Sequence, residues 1–303
     1  MIIRLFSNLL PCLYVGYLLG LKRPKLASQI AKPLINYGVP LSVMGLLLKS
    51  GINWQLIEAF AIALLAIGLL VALIQGIPQF NNLMANRTLI LGSAFGNSGY
   101  FGIPVALALL PSQALQFSIG YDLGATLLIW SIGPIVLAQS STECTPSSCQ
   151  ANLGNRLIQS PATQGLIGAV LVQCTPWQTS VTTALWIPCK IVIILGLLIV
   201  GMRLSWLDPS KNKMLPHVLK VIQPSLLIKH VILPALMLII SISFGLPTLM
   251  RNALVLQAAT PTAISVLLVA ETNHKDQEVA ASLVVISTLL ALFTMPIWSI
   301  ALL

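Results

Sequence analysis

The chain has 303 residues, 57% of them hydrophobic and 8% charged, with a mean hydropathy of +0.93 and a net charge of +9. Soluble domains carry roughly 25% charged residues, so this composition excludes an ordinary water-soluble enzyme and leaves no room for a separate soluble domain. Nor does the basic excess indicate a nucleic-acid surface, because the Lys and Arg residues sit in short loops and sort by side of a membrane.

Taken in chain order, ten apolar segments predict spanning helices: 2–20, 29–48, 55–75, 88–110, 114–137, 159–176, 181–201, 224–245, 250–270 and 279–302. A bilayer core needs roughly 20 apolar residues per helix, and a chain of this length supplies about ten such spans. The sixth segment is short, so a nine-span count is the competing topology. Arg4 precedes the first apolar run as in a signal peptide, but that run ends in Gly20-Leu-Lys-Arg-Pro24 without a small-residue cleavage pattern, which predicts a mature helix.

Basic residues accumulate on the cytoplasmic side. With the N-terminus outside, the inner loops carry Lys22, Arg23, Lys25, Lys32, Arg87, Arg156, Arg203, Lys211, Lys213, Lys220, Lys229 and Lys275. Arg4, Lys49 and Arg251 fall outside, and Lys190 falls within a span. Both termini are therefore expected outside a cell membrane. The polar segment 138–158 separates five spans (1–137) from five (159–303). Five is odd, so the second set enters from the opposite side, as an inverted repeat.

Two spans carry breaks in matching places. The fourth contains Gly96-Asn-Ser-Gly-Tyr-Phe-Gly-Ile-Pro104, and the ninth contains Ala258-Ala-Thr-Pro-Thr-Ala263; Pro261 lies 157 residues after Pro104. Irregular backbone at membrane depth is tolerated only where protein buries it or it lines a cavity, and paired breaks mark the solute site of many secondary transporters. Proline removes an amide donor and disrupts the preceding turn, which would free the carbonyls of Tyr100 and Gln257. The half-helices beyond the breaks would offer unpaired amides with partial positive charge. Asn97, Ser98, Tyr100, Thr260 and Thr262 add polar side chains without full charge, suited to a carboxylate that must bind and leave. The plainer reading is that Gly92, Gly96 and Gly99 form a packing stripe and that each proline makes only a kink. The coincidence of both breaks in opposed halves favours a site.

Asp122, in Gly120-Tyr-Asp-Leu-Gly124, is an intramembrane acid and so a functional candidate: a proton carrier, a cation ligand, or a hydrogen-bond partner that orders the crossing. The alternative places it at the wetted outer interface. Lys190 reads as a snorkelling side chain, Glu58 as a solvated residue, and Glu271, His274, Lys275, Asp276 and Glu278 as a solvated inner turn. Cys144 and Cys149 fall in the cytoplasmic loop, where a disulfide is unusual; Cys12, Cys174 and Cys189 read as small apolar residues. His217, His230 and His274 lack metal-ligand spacing. No phosphate-binding loop, nucleotide fingerprint or nucleophile–base set is present, so no metal, cofactor or enzymatic activity is expected.

The run Gly96–Pro104, with Gln257-Ala-Ala-Thr-Pro-Thr-Ala263, Ala280–Leu290 and Met295-Pro296, resembles the auxin efflux carrier family, which includes the plant PIN-FORMED exporters and bacterial organic-acid permeases. The resemblance implies an all-α, ten-helix integral membrane fold related to the bile-acid sodium symporters: two inverted five-helix repeats whose broken fourth and ninth helices cross at prolines. It also implies a scaffold from the first two helices of each half and an elevator-like movement of the rest. By position, Asn97 matches the family's carboxylate-contacting asparagine, and Pro104 and Pro261 lie near the crossing. Plant carriers have proline at the position of Gly96, glutamine at that of Thr262, and a long loop where this chain has about twenty residues. Those departures point to the short prokaryotic branch rather than to auxin. The expected function is export of a small organic anion, with substrate-binding residues Asn97, Ser98, Tyr100, Pro104, Gln257, Thr260, Pro261 and Thr262. Alternatives are a proton- or sodium-coupled symporter using Asp122, a membrane-embedded enzyme, and a non-transporting sensor. The expected partners are the solute and the bilayer, with a homodimer left open.

Overall fold

The computed structural model describes residues 2–23, 25–84, 86–138, 158, 160–205, 215–272 and 276–302. Among these residues the protein is all-helical. Helix α1 is Ile2–Lys22, α2 is Leu26–Ser50, α3 is Trp54–Gly76, α4 is Arg87–Ala94, α5 is Ser98–Leu109 and α6 is Leu115–Ala138. Helix α7 is Pro161–Gln173 and α8 is Gln178–Leu204. Helix α9 runs through Leu215–Leu227, Ile228–Ile232 and Leu233–Ser243; α10 is Thr248–Ala258, α11 is Ile264–Thr272 and α12 is Gln277–Ala301. Among the described residues, five helices are long and apolar enough to cross a membrane by length and composition: α2, α3, α8, Val218–Ser243 of α9, and α12. Residues 139–157, with Cys144, Cys149 and Arg156, lie outside the described residues, as do Lys211, Lys213, His274 and Lys275.

Local sequence explains several boundaries. Asn53 caps α3 by accepting the Leu56 amide at 2.9 Å, and Asn86 caps α4 through the Leu89 amide at 3.1 Å. Ser160 accepts the Thr163 amide at 3.2 Å ahead of Pro161, the first residue of α7. Side-chain oxygens at this position satisfy amides that have no intrahelical partner, and proline is preorganised for the first turn.

Three π turns, Leu34–Gly38, Ser98–Gly102 and Ile228–Ile232, each end two residues before a proline: Pro40, Pro104 and Pro234. In each, the residue after the turn bonds five residues back, Val39 to Leu34, Ile103 to Ser98 and Leu233 to Ile228. A proline ring crowds the carbonyl four residues earlier, and widening the preceding turn by one residue lets the helix continue. Pro104 therefore sits inside a continuing helix rather than at a break.

Packing divides the helices into two groups. One comprises α1, α2, α7 and α8; the other comprises α3 to α6 and α9 to α12. Within the first group α1 packs most extensively on α8, and α7 on α2. Gly16 of α1 faces Gly201 of α8 so closely that a Cβ on Gly16 would lie 2.9 Å from the Gly201 Cα, the backbone approach that small residues permit between spanning helices. On the outside, Ile187, Ile191, Ile194, Phe293 and Ile297 are exposed, as expected of surfaces that face lipid.

Candidate functional site

The sequence places two breaks in apolar spans, and the structure brings them together. The chain leaves helical geometry at Phe95–Asn97, between α4 and α5, and again at Ala259–Ala263, between α10 and α11. Gly96 and Thr262 form an isolated antiparallel bridge. The Asn97 amide donates to the Pro261 carbonyl at 2.7 Å, and the Ala263 amide donates to the Phe95 carbonyl at 3.0 Å. Pro261 is thus part of the crossing, whereas Pro104 stands about two helical turns beyond it.

Each of the four helix ends at the crossing has at least one partner. At the C-terminus of α4, the Gly92 carbonyl accepts the Thr262 hydroxyl at 3.0 Å. At the N-terminus of α11, the Thr262 amide donates to Ser287 Oγ at 2.9 Å. The C-terminus of α10 is met by Lys229, whose Nζ donates to the Ala258 carbonyl at 2.9 Å. The Gln257 carbonyl is taken by its own chain, through Thr260 Oγ1 at 2.6 Å. At the N-terminus of α5, Ser98 Oγ donates to Asp122 Oδ1 at 2.6 Å, and the Gly99 amide and Thr126 hydroxyl also face this carboxylate. Buried backbone groups are costly to leave unpaired, and in lipid no water can serve them.

A cavity of about 70 Å³ lies against the first break, between the two helix groups, and Asn97, Ser98, Tyr100 and Asp122 line it. Asn97 is 5% exposed, and its Nδ2 has no hydrogen-bond partner among the described residues. Asp122 is 8% exposed and held by Ser98, so it is not a wetted interfacial residue. The other sequence-predicted side chains sit elsewhere. Pro104, Gln257, Thr260, Pro261 and Thr262 do not line the cavity; the second break contributes Ala263, Ile264 and Ser265 instead. Gln257 turns towards Gly102, with both its amide atoms buried and unpartnered among the described residues. Thr260 and Thr262 spend their hydroxyls on backbone within the crossing.

Lys229 is the main residue that sequence reasoning misplaced. Counted among inner-loop charges, it is 0% exposed and sits at the crossing. The signal was present, because the predicted eighth span begins at 224 and so already contains Lys229. Thr126 and Trp130 were missed as well. They follow Asp122 by four and eight residues on α6 and share its face, and both line the cavity. Glu271 and Asp276 are not merely solvated: Glu271 pairs with Arg203 of α8 at 2.8 Å, joining the two helix groups, and Asp276 accepts the Thr88 hydroxyl at 3.1 Å. Lys190 lies 4.9 Å from the Trp186 ring centroid, with Lys49 5.4 Å from the same ring. Among the described residues no cluster of His, Cys, Asp and Glu could hold a metal ion, and Cys12, Cys174 and Cys189 are free.

Residues 14–299 match the family described as Membrane transport protein. The chain belongs to that family. It is also similar to an uncharacterized transporter of Methanothermobacter thermautotrophicus, with 25% identity over 217 residues covering 71% of this chain and 67% of the relative. It is accordingly a multi-pass membrane transport protein, in contact with the bilayer and with a transported small molecule.

Proposed function

We propose that this membrane transport protein is a secondary carrier of the auxin efflux carrier type that exports a small organic anion across the cell membrane. In this reading ten helices form two inverted repeats, 1–137 and 159–303, joined by the segment 138–158, with both termini outside. Helices α1, α2, α7 and α8 form the scaffold, and the remaining helices carry the solute past it in an elevator-like step.

The observation that carries the proposal is the cavity at the paired breaks, where Asn97 Nδ2 is buried without a partner. A buried donor left unpaired costs about 1–3 kcal/mol, a cost that a solute carboxylate would relieve. The packing supports the inverted arrangement, since α1 pairs with α8 as α7 pairs with α2, the exchange expected when first and sixth spans, and second and seventh, are equivalent. An inside-negative potential favours outward movement of an anion by about 2.3 kcal/mol per charge per 100 mV, so no coupling ion is required.

A second reading, symport coupled to a proton or sodium ion through Asp122, draws on the placement of that carboxylate in the cavity wall. Flux of mono- and dicarboxylates into vesicles under clamped voltage, with and without pH and sodium gradients, separates the two. Asn97→Ala should reduce flux at least tenfold, the equivalent of about 1.4 kcal/mol, while thermal stability is retained because its amide nitrogen has no native partner to lose. Normal flux in that variant removes Asn97 from the site; binding without flux in the native protein turns the carrier into a sensor.

A further inference from the structure

Asp122 poses a difficulty for a carboxylate site. Among the described residues that line the cavity it is the one charged side chain; no Lys, Arg or His faces the space. Lys229 is at the crossing but not in the cavity wall, its ammonium held on the Ala258 carbonyl. The N-terminus of α5 attracts anions by its exposed amides and dipole, yet the chain's own carboxylate already stands there, receiving Ser98 Oγ at 2.6 Å and facing the Gly99 amide. A solute carboxylate must therefore dock beside Asp122, and Asn97 Nδ2, with the Tyr100 hydroxyl as the other unpartnered donor among the lining side chains, can receive it. Two carboxylates side by side repel each other unless something between them donates to both or carries positive charge.

A carboxylate has about four acceptor positions, and the groups that face Asp122 within the protein are Ser98, Gly99 and Thr126. An acceptor position is left for a group in the cavity. The walls around it are mostly apolar or aromatic, with Leu34, Val43, Leu46, Trp130 and Ile193 prominent; Ser42, Tyr100 and Ser265 are the other polar side chains there, and none of them carries the positive charge that would offset a second carboxylate. We infer that the solute is a small monocarboxylate carrying a hydrogen-bond donor next to its carboxylate, a hydroxyl or an amino group, which Asp122 accepts while Asn97 holds the carboxylate. Asp122 is then a specificity-determining residue. This rests on the carrier reading above and narrows its substrate class.

Four three-carbon acids test it with nearly constant size: propionate without a donor, L-lactate with a hydroxyl, L-alanine with an ammonium, and malonate as a dianion. Each is offered to proteoliposomes containing the full-length protein at clamped voltage, and initial flux is divided by concentration. Lactate or alanine should exceed propionate and malonate by about tenfold, the usual scale of one hydrogen bond to a charged acceptor. The winner of that pair shows whether the donor is neutral or cationic. In Asp122→Asn, where the acceptor charge is gone, the advantage over propionate should fall to about twofold or less.

Propionate or malonate moving as fast as lactate and alanine in the native protein overturns the inference and leaves the carrier intact. An undiminished preference in Asp122→Asn overturns it too. If none of the four acids moves, both the inference and the carrier reading for small acids fall. Should Asp122→Asn not fold, the ranking in the native protein decides alone.

Discussion

Gly96→Ala is the sharpest probe of the crossing, because one methyl group meets its two best-anchored side chains. A Cβ on Gly96 would overlap Thr260 Oγ1 and stand 2.8 Å from Lys229 Nζ. Neither neighbour is free to swing away: Thr260 Oγ1 is bonded to the Gln257 carbonyl at 2.6 Å, and Lys229 Nζ to the Ala258 carbonyl at 2.9 Å. Losing the first costs about 1 kcal/mol and the second, a bond from a charged donor, about 1.5–3 kcal/mol. The remaining escape is to pull the breaks apart, which strains the bonds from Asn97 to Pro261 and from Ala263 to Phe95. A net loss of about 2–4 kcal/mol is expected if both bonds are lost, or a fall of roughly 3–6 °C in the unfolding temperature of a chain of this length. Gly68→Ala is the matched control: it lies inside α3 with nothing within 4 Å of its Cβ, and alanine there should be neutral or stabilise by roughly 0.5–1 kcal/mol. Thermal unfolding in detergent, read alongside vesicle flux, compares the two. Gly96→Ala with native stability and native flux would refute the packing of the breaks against each other.

Two further perturbations follow from the same geometry. Lys229→Met should remain folded, since an unpaired Ala258 carbonyl costs about 1–3 kcal/mol and is partly offset by removing a buried charge; flux should fall at least tenfold, and native flux would make Lys229 structural filler. Cys174 is exposed at the end of α7, whereas Cys189 is buried. In intact cells a membrane-impermeant maleimide added outside should label a variant retaining only Cys174 and spare one retaining only Cys189; labelling of Cys174 solely after the membrane is opened reverses the orientation.

The breaks were legible because their composition is wrong for a spanning helix: glycines and prolines at membrane depth leave few alternatives to a packed crossing. Their exact positions were not, since a proline can be absorbed by a π turn upstream, as at Pro40, Pro104 and Pro234, or can stand in the break itself, as at Pro261. Which outcome occurs depends on contacts far away in sequence. Thr260 and Thr262 looked like solute ligands because hydroxyls beside a break can point either way, and here they serve carbonyls of the crossing. Lys229 was lost for a different reason. A charge rule that sorts loops assigns every lysine to a side, and it has no category for one committed to a helix end.

That commitment explains why two full charges can stand so deep in an apolar fold. An α-helix carries partial positive charge at its N-terminus and partial negative charge at its C-terminus, and a span broken at its middle brings both kinds of end away from water. Asp122 stands at the N-terminus of α5 and Lys229 at the C-terminus of α10, each opposite in sign to the end it meets. The other two ends are served by neutral groups, the Thr262 and Ser287 hydroxyls. One charge of each sign leaves the crossing without net charge, and that matters for a carrier. In the proposed carrier no buried charge would then have to move alone across the lipid, where a single charge is costly, although Asp122 is the charge that lines the cavity. In the proposed site, selectivity would come from the side chains that face the cavity, with Asn97 and Asp122 among the polar ones.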